Sequence, residues 1–481
     1  MSENTSRKVA KSQRNIKDSS RKVAKSQRNV KNSSRKVAKS QRNIKNSSRK
    51  VAESQRIRNN TFWVIFYNIL VILIYPTIIL VSFFNSKIRT GIKGRSETLK
   101  KISNWKDKIS KNDEIILFNC SSLGEYEQAK SVIEKMKSNN PEVKIALSFF
   151  SPSGYENFKD NNLVDIFFYL PFDLYWKVVK FITVLKPKAI IDVSYDIWPN
   201  LTIYTKKLNI DHYLISARLK ANTSKLKPFL KSFFRILFSY YKRIFTVSEN
   251  DYNLFNSLLN SSENIVNTGD TRFDNIEKRY QKYKNAELLP SSWKNDKIFI
   301  FGSTHKECHE KIIPTIKYLQ EKYANLHFII APHDPDEKTF ILFSEFLELE
   351  KLSKIDENSK AKNIFVNTIG DLAKLYFSSD FAYVGGGFGN EGLHNVMEPA
   401  VCGIPIFIGP KNSNSLEAQE LKKLGAIHEF SNSDELIERI NALIIDENGY
   451  DKISKTARKY ILDSLGASKK IIEYFKNDKI I

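Results

Sequence analysis

Cysteine is scarce. The 481 residues contain three, at Cys120, Cys308 and Cys402, far apart in sequence. They make no CxxC pair and no even-numbered framework, which argues against disulfides and structural zinc and favours a reducing compartment. Glycine (17) and proline (14) are too few for a collagenous or low-complexity chain. No GKS or GKT P-loop occurs, and no GxGxxG follows the first apolar run, so an NTPase or a dehydrogenase is poorly supported. The remaining composition, 41% apolar and 27% charged, is that of folded domains, and the length suits two or three of them.

Acidic residues are nearly missing from positions 1–60, which hold 19 Lys and Arg against 3 Asp and Glu. That segment carries +16 of the net +23, leaving +7 for the other 421 residues. The body is only mildly basic, which weakens a nucleic-acid reading. Within the tail, SRKVAKSQRNIKDS (6–19) recurs twice and then decays from Ser48. Apolar residues fall every seventh position, from Val9 and Ile16 to Ile44 and Val51. The candidate second position of each heptad is Ser12, Ser19 or Ser26, so a coiled coil is not expected. The tail reads as disordered. It is either an electrostatic tether to anionic lipid or a tandem duplication without a role of its own.

Charge is absent from residues 62–84, FWVIFYNILVILIYPTIILVSFF. As a helix this stretch reaches about 35 Å, enough for a hydrocarbon core. No small-residue cleavage site follows, so it is not a removable signal. Basic residues lie on both sides: the tail before it, and Lys87, Arg89, Lys93 and Arg95 after it. The positive-inside rule therefore gives no direction. Both ends on one side, with a re-entrant turn at Pro76 or an interfacial lie, satisfies the charges better than a simple span.

From Asp113 short apolar runs alternate with helical stretches. EIILFNCSS (114–122), VKIALSFFS (143–151), KAIIDVS (188–194), HYLISA (212–217) and RIFTVS (243–248) make a first set. After a polar lapse around 280–297 the pattern restarts with KIFIFGST (297–304), HFIIAPH (327–333), NIFVNT (363–368), FAYVGGG (381–387) and IPIFIG (404–409). This alternation predicts an α/β protein with two doubly wound, Rossmann-like parallel sheets facing a cleft, and with functional residues at the strand C-termini. The expected division is a tail (1–60), an anchor (61–86), a first domain (87–290) and a second domain (291–481).

Three constellations stand out. Ser122-Leu123-Gly124-Glu125 opens a helix, either as a capping box or with Glu125 as a general base at the cleft mouth. Val384 to Gly389 is glycine-rich and runs into His394-Asn395-Val396-Met397-Glu398, a loop and helix start suited to phosphate or to a tight turn. His305, Cys308 and His309 fall on one helical face, but nothing nearby completes a tetrahedral set. No metal and no cofactor is expected.

In this order the runs resemble the bacterial 3-deoxy-D-manno-octulosonic acid (Kdo) transferases. The resemblance is carried by SSLGE (121–125), SPSGYE (151–156), YLPFDL (169–174), DIWPNL (196–201), ISARL (215–219), TGDTRFD (268–274), GSTHKE (302–307), GDLAKLY (370–376) and GGGFGNEGLHNVMEPA (385–400). It spans roughly residues 62–475, and the repeats have no counterpart in it. It implies a two-domain glycosyltransferase of the GT-B kind that inverts at the sugar. The implied reaction moves Kdo from CMP-Kdo to the lipid A precursor at the cytoplasmic face of the bacterial inner membrane. The implied partners are that donor, that acceptor and anionic lipids, with no nucleic acid. By the same resemblance Glu125 is the general base and Arg272 stabilises the leaving phosphate. Nucleotide contacts fall on His333, Asp334, Ile369, Gly370, Asp371, Asn395, Val396, Met397 and Glu398. The family's ETEIWPN run reads Ser194-Tyr195-Asp196-Ile197-Trp198 here, so its first glutamate is replaced by Ser194, and Asp192 or Asp196 is the candidate substitute. The family's Arg-His in the nucleotide turn is His333-Asp334, which removes a fixed positive charge. Two rivals stay open: a same-fold enzyme using a UDP-sugar, and a membrane-tethered basic binding module without catalysis.

Overall fold

The structure, a computed structural model, describes residues 61–159, 162–285 and 288–481. The repeat tail, with its expected disorder and lipid tether, lies outside these residues. Thr61–Ser82 is one helix of mean hydropathy 2.5 with its most apolar stretch exposed. It is helical through Pro76, so the re-entrant turn expected there is not formed. Among the described residues it is the one helix long and apolar enough to cross a membrane.

Residues from Thr77 onward form one compact unit. The first sheet contains β1 (Ile115–Cys120), β2 (Lys144–Phe149), β3 (Ile166–Tyr169), β4 (Ala189–Val193), β5 (Asp211–Ala217), β6 (Arg243–Thr246) and β7 (Ile265–Asn267). Its order is β3-β2-β1-β4-β5-β6-β7, with every neighbour parallel. The second contains β8 (Lys297–Thr304), β9 (Leu326–Pro332), β10 (Leu349–Lys351), β11 (Asn363–Phe365), β12 (Phe381–Val384), β13 (Ile406–Ile408) and β14 (Ile427–Glu429). Its order is β10-β11-β9-β8-β12-β13-β14, again parallel throughout. Helices cover both faces, so central strands are buried on both sides and read as unbroken apolar runs; all six residues of β1 are buried.

This topology decides where ligands bind. The chain leaves β1 toward β2 but leaves β4 toward β5, so a crevice opens between the C-terminal ends of β1 and β4. The same reversal in the second sheet lies between β8 and β12. The apolar runs around Glu125 and around the glycine loop both end at these switch points.

The expected boundary at 290/291 is crossed once. The last helix, Ala467–Asn477, returns to the first sheet and places Ile471, Ile472 and Phe475 in the core with Phe118, Tyr126 and Phe245. Full burial of three such side chains contributes roughly 5–9 kcal/mol, which is enough to hold the two halves as one unit. Arg243 adds a bidentate pair to Asp478 just beyond that helix, at 2.8 and 2.9 Å.

Candidate active site

In the first crevice Glu125 sits in the opening turn of the helix Leu123–Asn139, directly after β1. The Ser122 hydroxyl accepts from the Glu125 N–H at 3.4 Å, and the Glu125 carboxylate accepts from the Ser121 N–H. Capping is therefore real, although the return bond reaches Ser121 rather than the cap residue itself. The carboxylate is 6% exposed. Burial, followed by the charges of Asp196 and Asp192, outweighs the two backbone bonds and pushes Glu125 up to about 8. A carboxylate poised near neutrality in a crevice is the electrostatic profile of a general base. Ser121 Oγ, beside it, is buried and has no hydrogen-bond partner among the described residues.

Across the crevice, β4 is followed directly by Ser194, which is buried with a backbone φ of +70°. A non-glycine residue in this region is strained, and such strain gathers at functional turns. The turn carries Tyr195 and Asp196 to the mouth, where the partly exposed Lys225 ammonium bonds the Tyr195 carbonyl. Asp196 is close enough for its charge to act on the Glu125 carboxylate. Asp192 lies beneath, 1% exposed. It accepts from Asn119 at 2.7 Å, pairs with His212 at 2.9 Å and receives the Tyr241 hydroxyl. Of the two substitutes considered for the missing glutamate, Asp192 is fully engaged in the floor and Asp196 is available.

If Glu125 works as a base, kcat/KM should rise with pH along a limb near 8. Asp196→Asn removes a charge that raises Glu125, so the limb should move to lower pH. A pH–rate profile of both proteins checks this, and an unmoved limb would detach the two carboxylates.

Other residues in the family-like runs turn out to build the frame. Asp173 accepts from the backbone N–H groups of Asn200 and Leu201 at 2.8 and 3.1 Å, tying YLPFDL to the helix Pro199–Lys207. Arg272 is half-enclosed between Asp270, at 2.6 Å, and Glu417 of the second half, and Arg218 joins the same two carboxylates at 2.7 and 3.0 Å. Two arginines and two carboxylates balance, so Arg272 holds the halves together instead of presenting a free cation.

The second crevice gathers the nucleotide candidates unevenly. Gly385 and Gly386 begin the turn after β12. A Cβ on Gly385 would overlap the Ser303 carbonyl, and Gly386 has φ +91°. Only glycine lets this loop close against the end of β8. His333 and Asp334 follow β9 and are exposed. Ile369 is 93% exposed, and Gly370 at φ +95° faces open space. Asp371 pairs with Lys374 at 2.7 Å, which holds its carboxyl below the usual range. Asn395 accepts from the Met397 N–H at 3.0 Å. Val396 and Met397 are buried in the core, so their side chains face no ligand. Glu398 is 2.8 Å from Arg279, whose other nitrogen meets Glu127 at 3.0 Å. One ion bridge thus links the helix of Glu125 to the segment after His394.

The metal arrangement considered from sequence is not formed. Cys308 is fully buried, and His309 bonds Thr304 at 3.4 Å against the Phe343 ring. His305 instead meets His333 and His394, a grouping with no sequence signal because 28 and 61 residues separate its members. Burial, then the neighbouring His333 and His305, pushes His394 down to about 4.

Residues 93–275 match the family described as 3-Deoxy-D-manno-octulosonic-acid transferase (kdotransferase). The 3-deoxy-D-manno-octulosonic acid transferase of Haemophilus influenzae is 25% identical over 371 residues, covering 75% of this chain and 86% of the relative. That of Aquifex aeolicus is 27% identical over 328 residues, covering 68% and 85%. In sequence the chain is similar to the Kdo transferases, over three quarters of its length for the first of these relatives. It is a glycosyltransferase of the GT-B fold. Solved structures add the fold alone. A putative UDP-N-acetylglucosamine 2-epimerase from Listeria monocytogenes aligns with TM-score 0.54 at 12% identity, over 76% of this chain and 96% of the other. UDP-GlcNAc 2-epimerase from Neisseria meningitidis aligns with TM-score 0.53 at 16% identity, over 76% and 100%. Kdo transfer is the activity that the relatives' names state, and these likenesses support it for this enzyme.

Proposed function

We propose that the enzyme takes Kdo from CMP-Kdo and delivers it to the lipid A precursor, lipid IVA, at the cytoplasmic face of the inner membrane. The observation that carries the reading is a buried carboxylate raised to about 8 at the first sheet's switch point. In the proposed step the acceptor hydroxyl oxygen bonds the anomeric carbon as the bond to the cytidylate oxygen breaks. Glu125 takes the hydroxyl proton from the face opposite the departing phosphate, which inverts the centre. Asp196 tunes Glu125, and its negative charge favours the oxocarbenium character that develops at the sugar. Arg272 acts as a positioning residue, because its guanidinium locks the relation of the two halves. The nucleotide occupies the second crevice along His333 to Asp334, Ile369 to Asp371 and the backbone from Asn395 to Glu398.

Mass spectrometry of the product formed from lipid IVA tests both substrates, and absence of a mass gain of one or more Kdo units would refute the reading. Protection against heat by CMP-Kdo and not by a UDP-sugar separates it from the rival donor.

The apolar helix Thr61–Ser82 fits an acceptor whose head group stays at the bilayer surface, since tethering raises the effective acceptor concentration. Cutting before Asn85 preserves the cap of the helix Ser86–Lys106, whose Ile88 N–H it receives at 3.1 Å. Deletion of residues 1–84 should leave nucleotide binding intact and strongly reduce transfer to acceptor embedded in vesicles. Equal rates for the two proteins on vesicles would remove the anchor role.

A further inference from the structure

We infer that His305, His333 and His394 form a binding site for one divalent transition metal of the zinc class, with a coordination position open to the second crevice. This goes beyond the transfer reaction and stands on the three side chains themselves. They are three of the seven histidines in the chain. They come from the end of β8, the end of β9 and the loop after β12, so three separate elements converge at the switch point. Their ligand nitrogens all lie within 4.8 Å of one another. Ring centroids form a nearly equilateral triangle, with sides of 4.8, 5.0 and 4.8 Å. Among the described residues no other group of three His, Cys, Asp or Glu converges in this way.

The chemistry selects the class of ion. Three neutral imidazoles suit zinc, cobalt, nickel or copper and do not suit magnesium or calcium, which take oxygen ligands. Three histidines and a vacant fourth position form a common open zinc arrangement. With metal–nitrogen bonds of about 2.0–2.1 Å, tetrahedral ligands lie about 3.3 Å apart. His305 Nε2 and His394 Nε2 are 2.7 Å apart, close to that spacing. Without an ion, one of these two nitrogens must donate a proton to the other, whereas an ion accepts both lone pairs. His333 is exposed, so its ring is free to turn inward and close the set. His305 and His394 are partly buried and fixed by their positions at the end of β8 and on the Gly385 carbonyl, which accepts the His394 N–H at 3.1 Å. Glu391 is close enough to act electrostatically on both His305 and His394, adding negative charge beside the ion. The open position faces the crevice where, on the reading above, a donor phosphate or carboxylate oxygen arrives.

Cobalt(II) titration of the untagged full-length protein in detergent, stripped with chelator, tests the site. The expected result is a visible absorption of tetrahedral cobalt that saturates at one ion per chain and is displaced by one equivalent of zinc. His333→Ala and His394→Ala should each weaken cobalt binding by at least about tenfold, a loss comparable to the 10–100-fold cost of disturbing ligand support. His327→Ala should leave it unchanged, since His327 is held by Asp296 at 3.0 Å outside the cluster. His333 is exposed, so its variant keeps the fold, and circular dichroism verifies this. Absence of the tetrahedral absorption, or absorption insensitive to His333→Ala and His394→Ala, overturns the site. Added cytidine monophosphate should shift the cobalt absorption. A cobalt spectrum that forms normally but ignores cytidine monophosphate overturns the phosphate as occupant of the open position and leaves the three-histidine site standing.

Discussion

Glu125→Gln is expected to lower turnover by about 10²–10⁴-fold, the range for loss of a general base, while the fold and nucleotide binding persist. The amide keeps an oxygen for the Ser121 N–H and the length needed to remain in the helix turn. It cannot accept the acceptor proton. The same substitution carries a stability signature. Glu125 has a folded-state value of about 8 against an ordinary 4.5, so between these limits the folded protein holds a proton that the unfolded chain has released. That contribution is fully present below 4.5 and is lost as pH rises through 8. Glutamine does not titrate, so the melting temperature of the variant relative to the wild type should increase from pH 6 to pH 9. Activity and stability therefore move in opposite directions, as they do where a strained site serves function. Purified protein assayed for turnover and melted at both pH values checks the pair of effects. Near-normal turnover would leave Glu125 with capping alone.

The ten central and near-central strands were legible because both faces are buried, so each is a continuous apolar run ending in a turn. The four strands that left no readable signal, β3, β7, β10 and β14, are the two edges of each sheet. They have three or four residues and one partner each, and β10 mixes Leu349, Glu350 and Lys351. Segments this short show no clear period, and in β10 and β14 charge of the kind that protects an edge breaks the apolar run as well. The site divides in the same way. Glu125 was visible because one local run carries both the cap and the strand end. His305, His333 and His394 were invisible as a group because only the β8–β9–β12 topology brings them together. Arg272 was legible as a basic residue in a recognisable run. Its partner Glu417 lies 145 residues away, so the ion pair that clamps the two halves left no trace in the sequence. The return of Ile471 and Phe475 to the first sheet was hidden for the same reason: an amphipathic helix does not state which sheet it covers.

Asp192→Ala should be the most destabilising single change near the site, by about 3–5 kcal/mol, the cost of leaving the partners of a buried carboxylate unpaired. Asp192 is the hub of the floor beneath Glu125. Asn119 donates to one oxygen at 2.7 Å; His212, at 2.9 Å, and Tyr241 meet the other. His212 is 2% exposed and Asn119 is 3% exposed, so water cannot replace the lost acceptor without opening the core. At 2–4 °C per kcal/mol for a large domain, the melting temperature should fall by on the order of 10 °C. Asp192→Asn separates structure from electrostatics. Its amide oxygen still accepts one bond, so the loss of stability should be smaller than for alanine. It also removes one of the two carboxylate charges that raise Glu125, so the ascending limb of the pH–rate profile should move to lower pH. Melting curves of both variants in detergent, with pH profiles of the asparagine protein, measure the two effects independently. An alanine variant that melts with the wild type would show that the Asn119, His212 and Tyr241 bonds contribute nothing net. The floor would then act on Glu125 through charge alone, and the limb would still move in the asparagine variant.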